Sequence, residues 1–352
     1  NEVNNIKVLL FDLINILKNQ DYEIVVVDDD SPDGTGEEVY NFMKNNNNIQ
    51  LINRVGRSGL SSAIKEGLLF AKGEYLLVLD GDGQHDANCV VDLINKIKES
   101  NSDMVIASRF LDPSLLRGLS GKRSLGSKLA NKAARISLSK NYSNLTDYLS
   151  GCFCVDIRRT ELLIKKIEIN GFKFLYELLA LSKGHLQIKE VPLIFKERDY
   201  GKSKLDLAIV WDFLISILHN ISYRILPRRA ISFGLVGMSG VIVQLMITLL
   251  LTNLFLIDFK NALPFSVICA ATSNFLINNQ LTFRSNRLTN SALIRGLLKF
   301  LLVASLPVIA NVGIATAFYQ YISSDTLIAQ LAGIAIVYAW NYLASSLFVW
   351  NN

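Results

Sequence analysis

The sequence predicts two architectures in one chain: an α/β domain with a mostly parallel, Rossmann-like sheet, and an all-α membrane domain of four helices. Seven charged residues fall within 230–352, against 31 basic and 29 acidic residues within 1–229. Apolar runs in the first part alternate with helical patterns across glycine- and aspartate-rich turns. Because this alternation is typical of a sheet covered by helices on both faces, we divide the chain into 1–204, an interfacial helix and linker at 205–229, and 230–352.

Four apolar runs predict strands at 23–27, 49–52, 75–79 and 103–107, and helical patterns occupy 60–71 and 87–99 between them. A βαβα order implies parallel strands joined by helical crossovers. The sequence opens at Asn1 directly in a helical pattern, with neither a cleavable signal peptide nor the strand that usually begins such a domain. We therefore expect the first strand of the domain to be missing from the given sequence.

Composition narrows the classes of partner. The formal net charge of +5 is too small to indicate nucleic acid. The four cysteines, Cys89, Cys152, Cys154 and Cys269, lack the spacing of a metal site, and Cys152 and Cys154 alternate on a probable strand. We expect buried thiols in a reducing cytoplasm.

Two acids one residue apart, Asp80 and Asp82, follow the apolar run at 75–79. Two carboxylates about 4 Å apart repel by about 4 kcal/mol at an effective dielectric constant near 20. A hard divalent cation with oxygen ligands would relieve that repulsion, and the carboxyl ends of strands are where open α/β folds bind ligands. The alternative is an acidic turn that binds nothing.

A second acidic cluster, Asp28 and Asp29, ends an earlier strand and should lie at the same edge of the sheet. One cluster can bind a nucleoside through hydrogen bonds while the other holds a metal on a diphosphate. Neither a Walker lysine loop nor a G-x-G-x-x-G motif occurs, so the sequence does not favour an ATPase or a dinucleotide-binding enzyme.

These residues resemble family-2 glycosyltransferases of the GT-A fold, and most closely the polyprenyl-phosphate sugar synthases of the dolichyl-phosphate mannose synthase type. The resemblance covers nearly all of 1–205. The segments that carry it, in matching order, are 27–35 (VDDDSPDGT), 80–85 (DGDGQH), 107–109 (ASR), 122–131 (KRSLGSKLAN), 146–151 (TDYLSG), 171–174 (GFKF) and 198–205 (RDYGKSKL).

The resemblance implies a role for each matching residue. The metal, Mg²⁺ or Mn²⁺, would be held by Asp80, Asp82 and Gln84. The acceptor phosphate would be bound by Arg109, Arg123 and Ser127. The nucleotide sugar would be bound by Glu2, Val27, Asp29, Asp80, Gly81, Asp82, Lys173, Arg198 and Lys204. Of these, Asp82, Arg123 and Arg198 would be the catalytic residues.

The implied reaction is an inverting transfer of a hexose to a polyprenyl or dolichyl monophosphate. A lipid monophosphate is already an anion near neutral pH, so catalysis is expected to be positioning and electrostatic stabilisation rather than base catalysis. His85 is accordingly expected to be structural. The pattern from Asp29 to Lys204 favours GDP-mannose as the donor, and UDP-glucose with undecaprenyl phosphate is the alternative.

An apolar segment at 205–219, with Asp212, Ser216 and His219 on one face, predicts a helix lying on the membrane surface. Four apolar stretches follow near 231–256, 262–283, 297–322 and 327–349, each long enough to span a bilayer. Under a four-span topology the arginines at 228, 229, 284, 287 and 295 lie on one side. The positive-inside rule then places the catalytic domain and both termini in the cytoplasm of a multi-pass protein in the cell membrane.

The membrane part also contains an internal repeat. Phe233 recurs as Phe300, and Asn274 recurs as Asn341, both at an offset of 67 residues. This pattern indicates a duplicated two-helix unit. The half-chain resembles the GtrA-like four-helix domain, which occurs both fused to such synthases and as separate candidate translocators of lipid-linked sugars.

Three function classes therefore remain open at the level of sequence. The favoured one is a synthase of a lipid-phosphate monosaccharide. A processive polysaccharide synthase is disfavoured because the chain has no Gln-x-x-Arg-Trp signature and no channel helices before the α/β domain. A translocator of lipid-linked sugar with a vestigial α/β domain is disfavoured by the intact set of acids and basic residues in that domain.

Overall fold

The computed structural model describes residues 2–56, 59–112, 121–168, 173–194, 207–322 and 326–350. Within these ranges, side chains are described except at 121–124, 207, 306–319 and 326–334. The chain divides into two compact units, residues 1–221 and 222–352.

The first unit contains six described strands in two sheets. Strands β1 (Ile24–Asp28) and β2 (Ile49–Asn53) form a parallel pair. Strands β3 (Tyr75–Val78), β4 (Met104–Ser108), β5 (Phe153–Asp156) and β6 (Ile188–Pro192) form a sheet in the order β3-β5-β4-β6. The expected strands at 23–27, 49–52, 75–79 and 103–107 are thus present to within one residue at each end.

The expectation of a mostly parallel sheet needs one correction. Strand β5 lies between β3 and β4 and runs antiparallel to both, whereas β4 and β6 are parallel. The second sheet is therefore mixed. The alternation of Cys152 and Cys154 had indicated this strand, and both thiols are fully buried as expected. A strand buried on both faces shows no apolar–polar alternation that would reveal its direction.

Helices of ordinary length connect and cover these strands. In chain order they are α1 (Val3–Leu17), α2 (Thr35–Met43), α3 (Leu60–Phe70), α4 (Cys89–Ser100), α5 (Gly121–Ser137), α6 (Ile157–Lys166), α7 (Phe174–Ser182) and α8 (Leu207–Ile221). Helix α1 buries Ile6, Leu9, Leu10, Leu13 and Leu17, which recur at the three- and four-residue spacing of an amphipathic helix. This face packs with β1, β2 and α4 in one apolar cluster.

The second unit is built from four long helices. They are α9 (Arg228–Asn253), α10 (Phe259–Gln280), α11 (Asn290–Tyr321) and α12 (Thr326–Phe348), which coincide closely with the four predicted apolar stretches. Among the described residues, one helix, α9, is both long and apolar enough to cross a bilayer, with a mean hydropathy of 2.1 in its best window. The number of membrane crossings remains a prediction.

Stacked aromatic rings connect the two halves of this unit. Phe283 and Trp350, 67 residues apart, stack with centroids 4.2 Å apart and planes 6° apart. Phe233 meets Phe283 edge-on at 6.5 Å, and Phe300 meets Trp350 edge-on at 5.8 Å. A further equivalent pair of contacts is Phe233–Tyr342 at 5.8 Å and Phe275–Phe300 at 5.7 Å.

A shift of 67 residue numbers converts the Phe233–Phe283 contact into Phe300–Trp350, and it exchanges Phe233–Tyr342 with Phe275–Phe300. The same shift leaves the Phe283–Trp350 pair unchanged, because its two rings exchange places. The two helical hairpins therefore present equivalent rings to one another, which supports the predicted duplication. Face-to-edge and offset-stacked pairs of this kind contribute about 0.5–1.5 kcal/mol each beyond the area that they bury.

The central position of Trp350 leads to a stability prediction. Replacing Trp350 by Ala removes the stack on Phe283 and the hydrogen bond from the indole Nε1 to Asn279 Oδ1 (3.1 Å). We expect Trp350→Ala to cost about 3–5 kcal/mol of stability, as for other buried aromatic truncations. The measurement is the soluble monodisperse fraction of detergent-purified protein after heating to a series of temperatures.

Phe348 provides the matched control, because its side chain lies two residues away and is 62% exposed. Phe348→Ala should leave the heating profile within the small range that is typical of surface substitutions. Equal losses for the two variants would show that the stack does not hold the hairpins together.

Candidate functional site

The acidic turn after β3 is set against the loop that precedes β5. The Asp80 carboxylate lies directly over Gly151, so that a Cβ at position 151 would overlap its oxygens. Gly83 takes a left-handed conformation (φ +73°), and the backbone N–H of Gln84 donates to Asp82 Oδ1 at 3.1 Å. Glycines at 83 and 151 are thus what allow two carboxylates and the Gln84 amide to occupy one short turn.

Half-buried charged side chains lie around Asp80, which is itself half-buried. Burial raises the pKa of Asp80 above its ordinary value; His85 opposes the rise and Asp82 adds to it, while Lys173 and Arg109 also favour the charged form. Burial lowers the pKa of Lys173, and the positive charge of Arg109 lowers it further. The structure therefore brings together two predicted metal ligands, one predicted acceptor-phosphate residue and one predicted nucleotide-sugar residue.

Arg109 is oriented by a buried carboxylate. Its Nε donates to Asp147 Oδ2 at 2.7 Å and its Nη2 donates to Asp147 Oδ1 at 2.9 Å, a bidentate pair. Burial works against the charged form of Arg109, but the Asp147 carboxylate outweighs it and leaves the pKa raised. With Nε and Nη2 committed to Asp147, the guanidinium plane has a fixed direction.

Glu190 on β6 fixes Asp147 in turn. Its carboxylate accepts the backbone N–H of Asp147 at 3.0 Å and of Thr146 at 2.9 Å, and the Thr146 hydroxyl at 3.0 Å. Sequence reasoning quoted Thr146 and Asp147 only as part of a motif and did not identify Glu190. A glutamate in a short strand carries no local signal, because its partners are more than 40 residues away in the chain.

The predicted nucleoside residues lie at the β1–β2 sheet. Asp29 follows β1, and its Oδ1 accepts Nε of Arg54 at 2.7 Å while its Oδ2 accepts the backbone N–H of Gly59 at 2.9 Å. Arg54 is 2% exposed and also donates to Ser62 Oγ at 2.8 Å. Arg54 is a second residue that sequence reasoning missed, although its place directly after a strand and before a glycine-rich turn was a usable signal.

Glu2 is attached to the turn that follows β1. Its backbone N–H donates to Thr35 Oγ1 at 2.9 Å, and the Thr35 hydroxyl donates to Asp33 Oδ1 at 2.6 Å. Val27 lies within β1, paired with Ile52 of β2. Glu2 is thereby joined to the turn that begins with Asp29, and the nucleoside site itself stays a prediction.

Other predicted site residues are placed less completely. Ser127 is half-buried on α5, and Gly81 lies between the two acids of the turn. Arg123 lies on α5, but its side chain is outside the described part of the chain. Arg198 and Lys204 lie outside the described residues.

The acidic turn fits a divalent cation by the chemistry of its donors. Within the described ranges, no three carboxylate, imidazole or thiol side chains converge as a preformed metal cage. The turn offers two carboxylates and one amide, all oxygen donors, and the carboxylates repel one another. Such a partial set suits Mg²⁺ or Mn²⁺, which complete their coordination with waters and phosphate oxygens.

A surface cleft of about 680 Å³ lies beside the turn after β1, lined by Asp28, Asp30, Tyr40 and Asn53 among others. Its lining includes Asp28 of the second acidic cluster, but none of the residues to which the family resemblance gives a role.

Comparisons with known proteins place both halves of the chain. Residues 1–154 match glycosyl transferase family 2, and residues 232–350 match the GtrA/DPMS transmembrane domain. A dolichol-phosphate mannosyltransferase of Pyrococcus furiosus is 32% identical over 352 residues, which is 99% of this chain and 97% of that protein.

Other similar proteins cover less of the chain. The dolichol-phosphate mannosyltransferase of Saccharomyces cerevisiae is 30% identical over 54% of this chain and 72% of its own. Among solved structures, glucosyl-3-phosphoglycerate synthase from Mycobacterium tuberculosis, in complex with Mn²⁺, UDP-glucose and phosphoglyceric acid, matches 63% of this chain and 76% of its own at 19% identity, with a TM-score of 0.48.

The match to the Pyrococcus protein extends along almost the whole of both chains and spans the α/β unit and the membrane unit alike. The chain is a glycosyltransferase and belongs to the dolichol-phosphate mannosyltransferase family, with a family 2 transferase domain joined to a GtrA/DPMS transmembrane domain.

Proposed function

We propose that this chain transfers mannose from GDP-mannose to a polyprenyl or dolichyl monophosphate at the cytoplasmic face of the membrane, in a metal-dependent reaction that inverts the anomeric centre. The observation that carries the proposal is the placement of Arg109, oriented by Asp147, within electrostatic reach of the Asp80 turn. The site thus offers a fixed cation for one phosphate beside an acidic turn suited to a metal on another.

The acidic turn is the proposed place for the sugar-nucleotide diphosphate. Asp80, Asp82 and Gln84 would hold Mg²⁺ or Mn²⁺ there, and the cation would supply Lewis-acid stabilisation of the departing nucleoside diphosphate. The nucleoside would be held by Glu2, Val27 and Asp29, with Gly81 allowing close approach of the backbone. Arg54 supports this assignment by fixing the direction of Asp29.

The basic residues divide between the two phosphates. Lys173 lies near Asp80 and is proposed, together with Arg198 and Lys204, to bind the donor. Arg109, Arg123 and Ser127 are proposed to bind the acceptor monophosphate. Arginine suits this task because its planar guanidinium binds phosphate oxygens in pairs and remains charged when buried.

The proposed chemistry is a direct displacement. An oxygen of the lipid phosphate forms a bond to the anomeric carbon while the bond from that carbon to the diphosphate oxygen breaks. The electron pair leaves with the nucleoside diphosphate, so no proton has to be removed from the acceptor near neutral pH. The protein contributes orientation of the two anions and compensation of their charge, and Arg123 and Arg198 would take part with Asp82.

The membrane placement of the reaction is supported by α8. Val210, Leu214 and Ile221 form an exposed apolar stripe on this helix, whereas Ser216 and His219 are buried. A helix that faces water would expose its polar side chains and bury its apolar ones, and α8 does the opposite. This orientation supports the predicted interfacial helix in the segment 205–229. We further propose four membrane spans, with the catalytic domain and both termini in the cytoplasm.

A second candidate function, translocation of lipid-linked sugar, is favoured by one observation. The Oδ1 atoms of Asn274 and Asn341, equivalent in the two hairpins, are buried and have no hydrogen-bond partner among the residues that the structure describes. Polar groups within membrane helices are costly and frequently functional, and internal repeats are common in transporters. UDP-glucose:undecaprenyl-phosphate glucosyl transfer remains the alternative for the enzymatic activity itself.

The proposed metal role predicts the effect of changing one ligand. Asp82→Asn keeps the size of the side chain but removes the charge that would attract the cation. We expect the transfer rate at saturating Mg²⁺ to fall by about 100-fold or more, which is the usual scale for losing one electrostatic contact to a developing charge. The assay is transfer by purified protein in detergent, with Mg²⁺ and Mn²⁺ titrated after treatment with a chelator.

Asp92→Asn on α4 is the control for this variant, because Asp92 is an exposed acid on a helix of the same unit. It should retain the wild-type rate and the wild-type metal dependence. Full activity of Asp82→Asn, or metal-independent transfer by the wild type, would contradict the proposed metal site.

Glu190 is proposed as a positioning residue that acts through Asp147 and Arg109. In the wild type the Glu190 carboxylate accepts hydrogen bonds from two backbone N–H groups. In Glu190→Gln a neutral amide faces the same N–H groups, so the variant loses the charge assistance of hydrogen bonds that contribute about 1.5–3 kcal/mol each. We expect the KM for the lipid phosphate to rise about tenfold, with a smaller change in the KM for the donor. Steady-state kinetics with each substrate varied in turn measures the two values.

Glu161→Gln serves as the matched control, since Glu161 is a half-exposed acid on α6 whose ion pair with Lys165 lies at the surface. It should leave both KM values unchanged. An unchanged heating profile would show that Glu190→Gln is folded. If this folded variant changed the KM for the lipid phosphate and the KM for the donor equally, the positioning role would be excluded.

The donor and acceptor are tested directly by product analysis. Membranes containing the full chain are supplied with GDP-[¹⁴C]mannose or UDP-[¹⁴C]glucose, together with a polyprenyl or a dolichyl phosphate, and the extracted lipids are separated by thin-layer chromatography. We expect mannolipid from GDP-mannose that releases mannose on mild acid treatment. Glucolipid as the sole labelled product would instead establish the alternative donor.

A further inference from the structure

Two of the sequence motifs in the first unit meet through one side chain. Asn131 ends the first of them on α5, and Thr146 begins the second in the loop before β5. Asn131 Nδ2 donates to the carbonyl oxygen of Thr146, and Asn131 Oδ1 accepts the backbone N–H of Tyr148 at 2.8 Å. A single carboxamide is therefore bound to main-chain groups on both sides of Asp147.

Two side chains from different elements hold this segment, residues 146–148. Glu190 on β6 accepts the N–H groups of its first two residues at 2.9 and 3.0 Å, and Asn131 on α5 binds one carbonyl and one further N–H. The segment is thus attached both to the sheet and to a helix. Because Asp147 holds Arg109 in a bidentate pair, the position of the guanidinium depends on both attachments.

The proposed acceptor residue Ser127 lies on the same stripe of α5 as Asn131. It precedes Asn131 by four residues, which places the two on one face of the helix and about 6 Å apart along its axis. Ser127 is half-buried, and Ala134, three residues after Asn131, is fully buried. This face of α5 is therefore turned toward the rest of the unit, and the contact to the 146–148 segment lies one helical turn from Ser127.

The other end of α5 has a separate attachment. The Ser137 hydroxyl is 2.8 Å from the Tyr176 hydroxyl of α7. Ser137 is about 15 Å from Ser127 along the helix axis, at about 1.5 Å per residue, so this contact does not fix the position of Ser127. Among the described residues of α5, Asn131 alone forms hydrogen bonds to the segment that orients Arg109.

We propose that Asn131 is a positioning residue that sets the distance between the two parts of the acceptor site, Arg109 on one side and Ser127 on the other. The inference rests on the proposed function, in which both residues bind one phosphate, and it adds the residue that connects them. A phosphate group bonds to both only when their separation matches its size, so a small displacement of α5 from the 146–148 segment removes one of the two contacts.

The experiment measures ligand binding by the detergent-purified full chain with isothermal titration calorimetry. Farnesyl phosphate is the probe for the acceptor site, and GDP with Mg²⁺ is the probe for the donor site. Asn131→Ala removes both hydrogen bonds, whereas Asn131→Gln keeps the carboxamide and displaces it by one carbon–carbon bond, about 1.5 Å. Asn141→Ala is the matched control, because Asn141 Nδ2 also donates to a backbone carbonyl, that of Gly184 at 3.2 Å, but at an exposed place outside the 146–148 segment.

We expect the Kd of farnesyl phosphate to rise about tenfold in Asn131→Ala, which corresponds to about 1.4 kcal/mol and is the scale of one lost hydrogen bond. Asn131→Gln should raise this Kd as well, and Asn141→Ala should leave it unchanged. The Kd of GDP should stay within about twofold of the wild-type value in all three variants, as for substitutions that do not reach a site.

A second measurement separates positioning from general packing. Arg109→Lys keeps the positive charge but loses the bidentate bond to Asp147. Adding Asn131→Ala to this variant should change the Kd of farnesyl phosphate by less than about twofold, because the 146–148 segment no longer directs the cation. An undiminished rise in this background would overturn the proposal, and so would an equal loss of farnesyl phosphate and GDP binding in Asn131→Ala.

The result is separable from the transferase assay. Sugar transfer by the wild type, together with wild-type affinity for farnesyl phosphate in folded Asn131→Gln and Asn131→Ala, would refute the positioning role and leave the proposed function intact. The expected loss of affinity without transfer from any donor would refute the proposed function and leave the positioning role intact.

Discussion

The candidate site depends on how the half-buried carboxylate of Asp80 is compensated. Asp80 lies over Gly151, where no side chain separates it from the backbone, and Lys173 and Arg109 are cationic side chains that favour its charged form. Burial lowers the pKa of His85, which disfavours a charged imidazole beside it. Burying an uncompensated charge costs several kcal/mol even after relaxation, so these groups must be positioned together. Arg109 in turn requires Asp147, and Asp147 requires Glu190. Strands β3, β4, β5 and β6 each border this set of charges, which explains why the mixed sheet and the site are inseparable.

The membrane unit is held together by a different principle. Its stacked rings are contributed equally by two equivalent hairpins, and the symmetry of the contacts means that each ring has its counterpart 67 residues away. Buried polar groups supplement the rings, as in the hydrogen bond between Ser232 and Thr282 at 2.6 Å. Within a bilayer, where the hydrophobic effect does not drive helices together, close packing and such hydrogen bonds are the available sources of stability.

Much of this arrangement could be read from the sequence, and the exceptions share a cause. The strands, the acid pair and the repeat each have a local or periodic signature, so the four early strands and the 67-residue offset between Phe233 and Phe300 were predicted. The direction of β5 was not, because a strand buried on both faces reads the same in either direction. Glu190 and Arg54 were missed because the partners of a single charged residue are distant in the sequence and become known only from the folded structure. The polar face of α8 was identified correctly by its residues, but its inward orientation depends on packing.

The cross-repeat stack has a consequence for biogenesis. Phe283 follows the first hairpin, whereas Trp350 follows the second, and neither ring has its partner until both hairpins are present. The first hairpin is therefore synthesised with one side of its aromatic cluster unfilled and stays so until 67 further residues have been added. During that interval its unfilled surface is equivalent to the surface that the second hairpin will present. Two copies of the chain that lie side by side can therefore exchange hairpins through equivalent contacts. Domain swapping between neighbouring chains is thus the error in assembly that a unit built from two equivalent hairpins is prone to make.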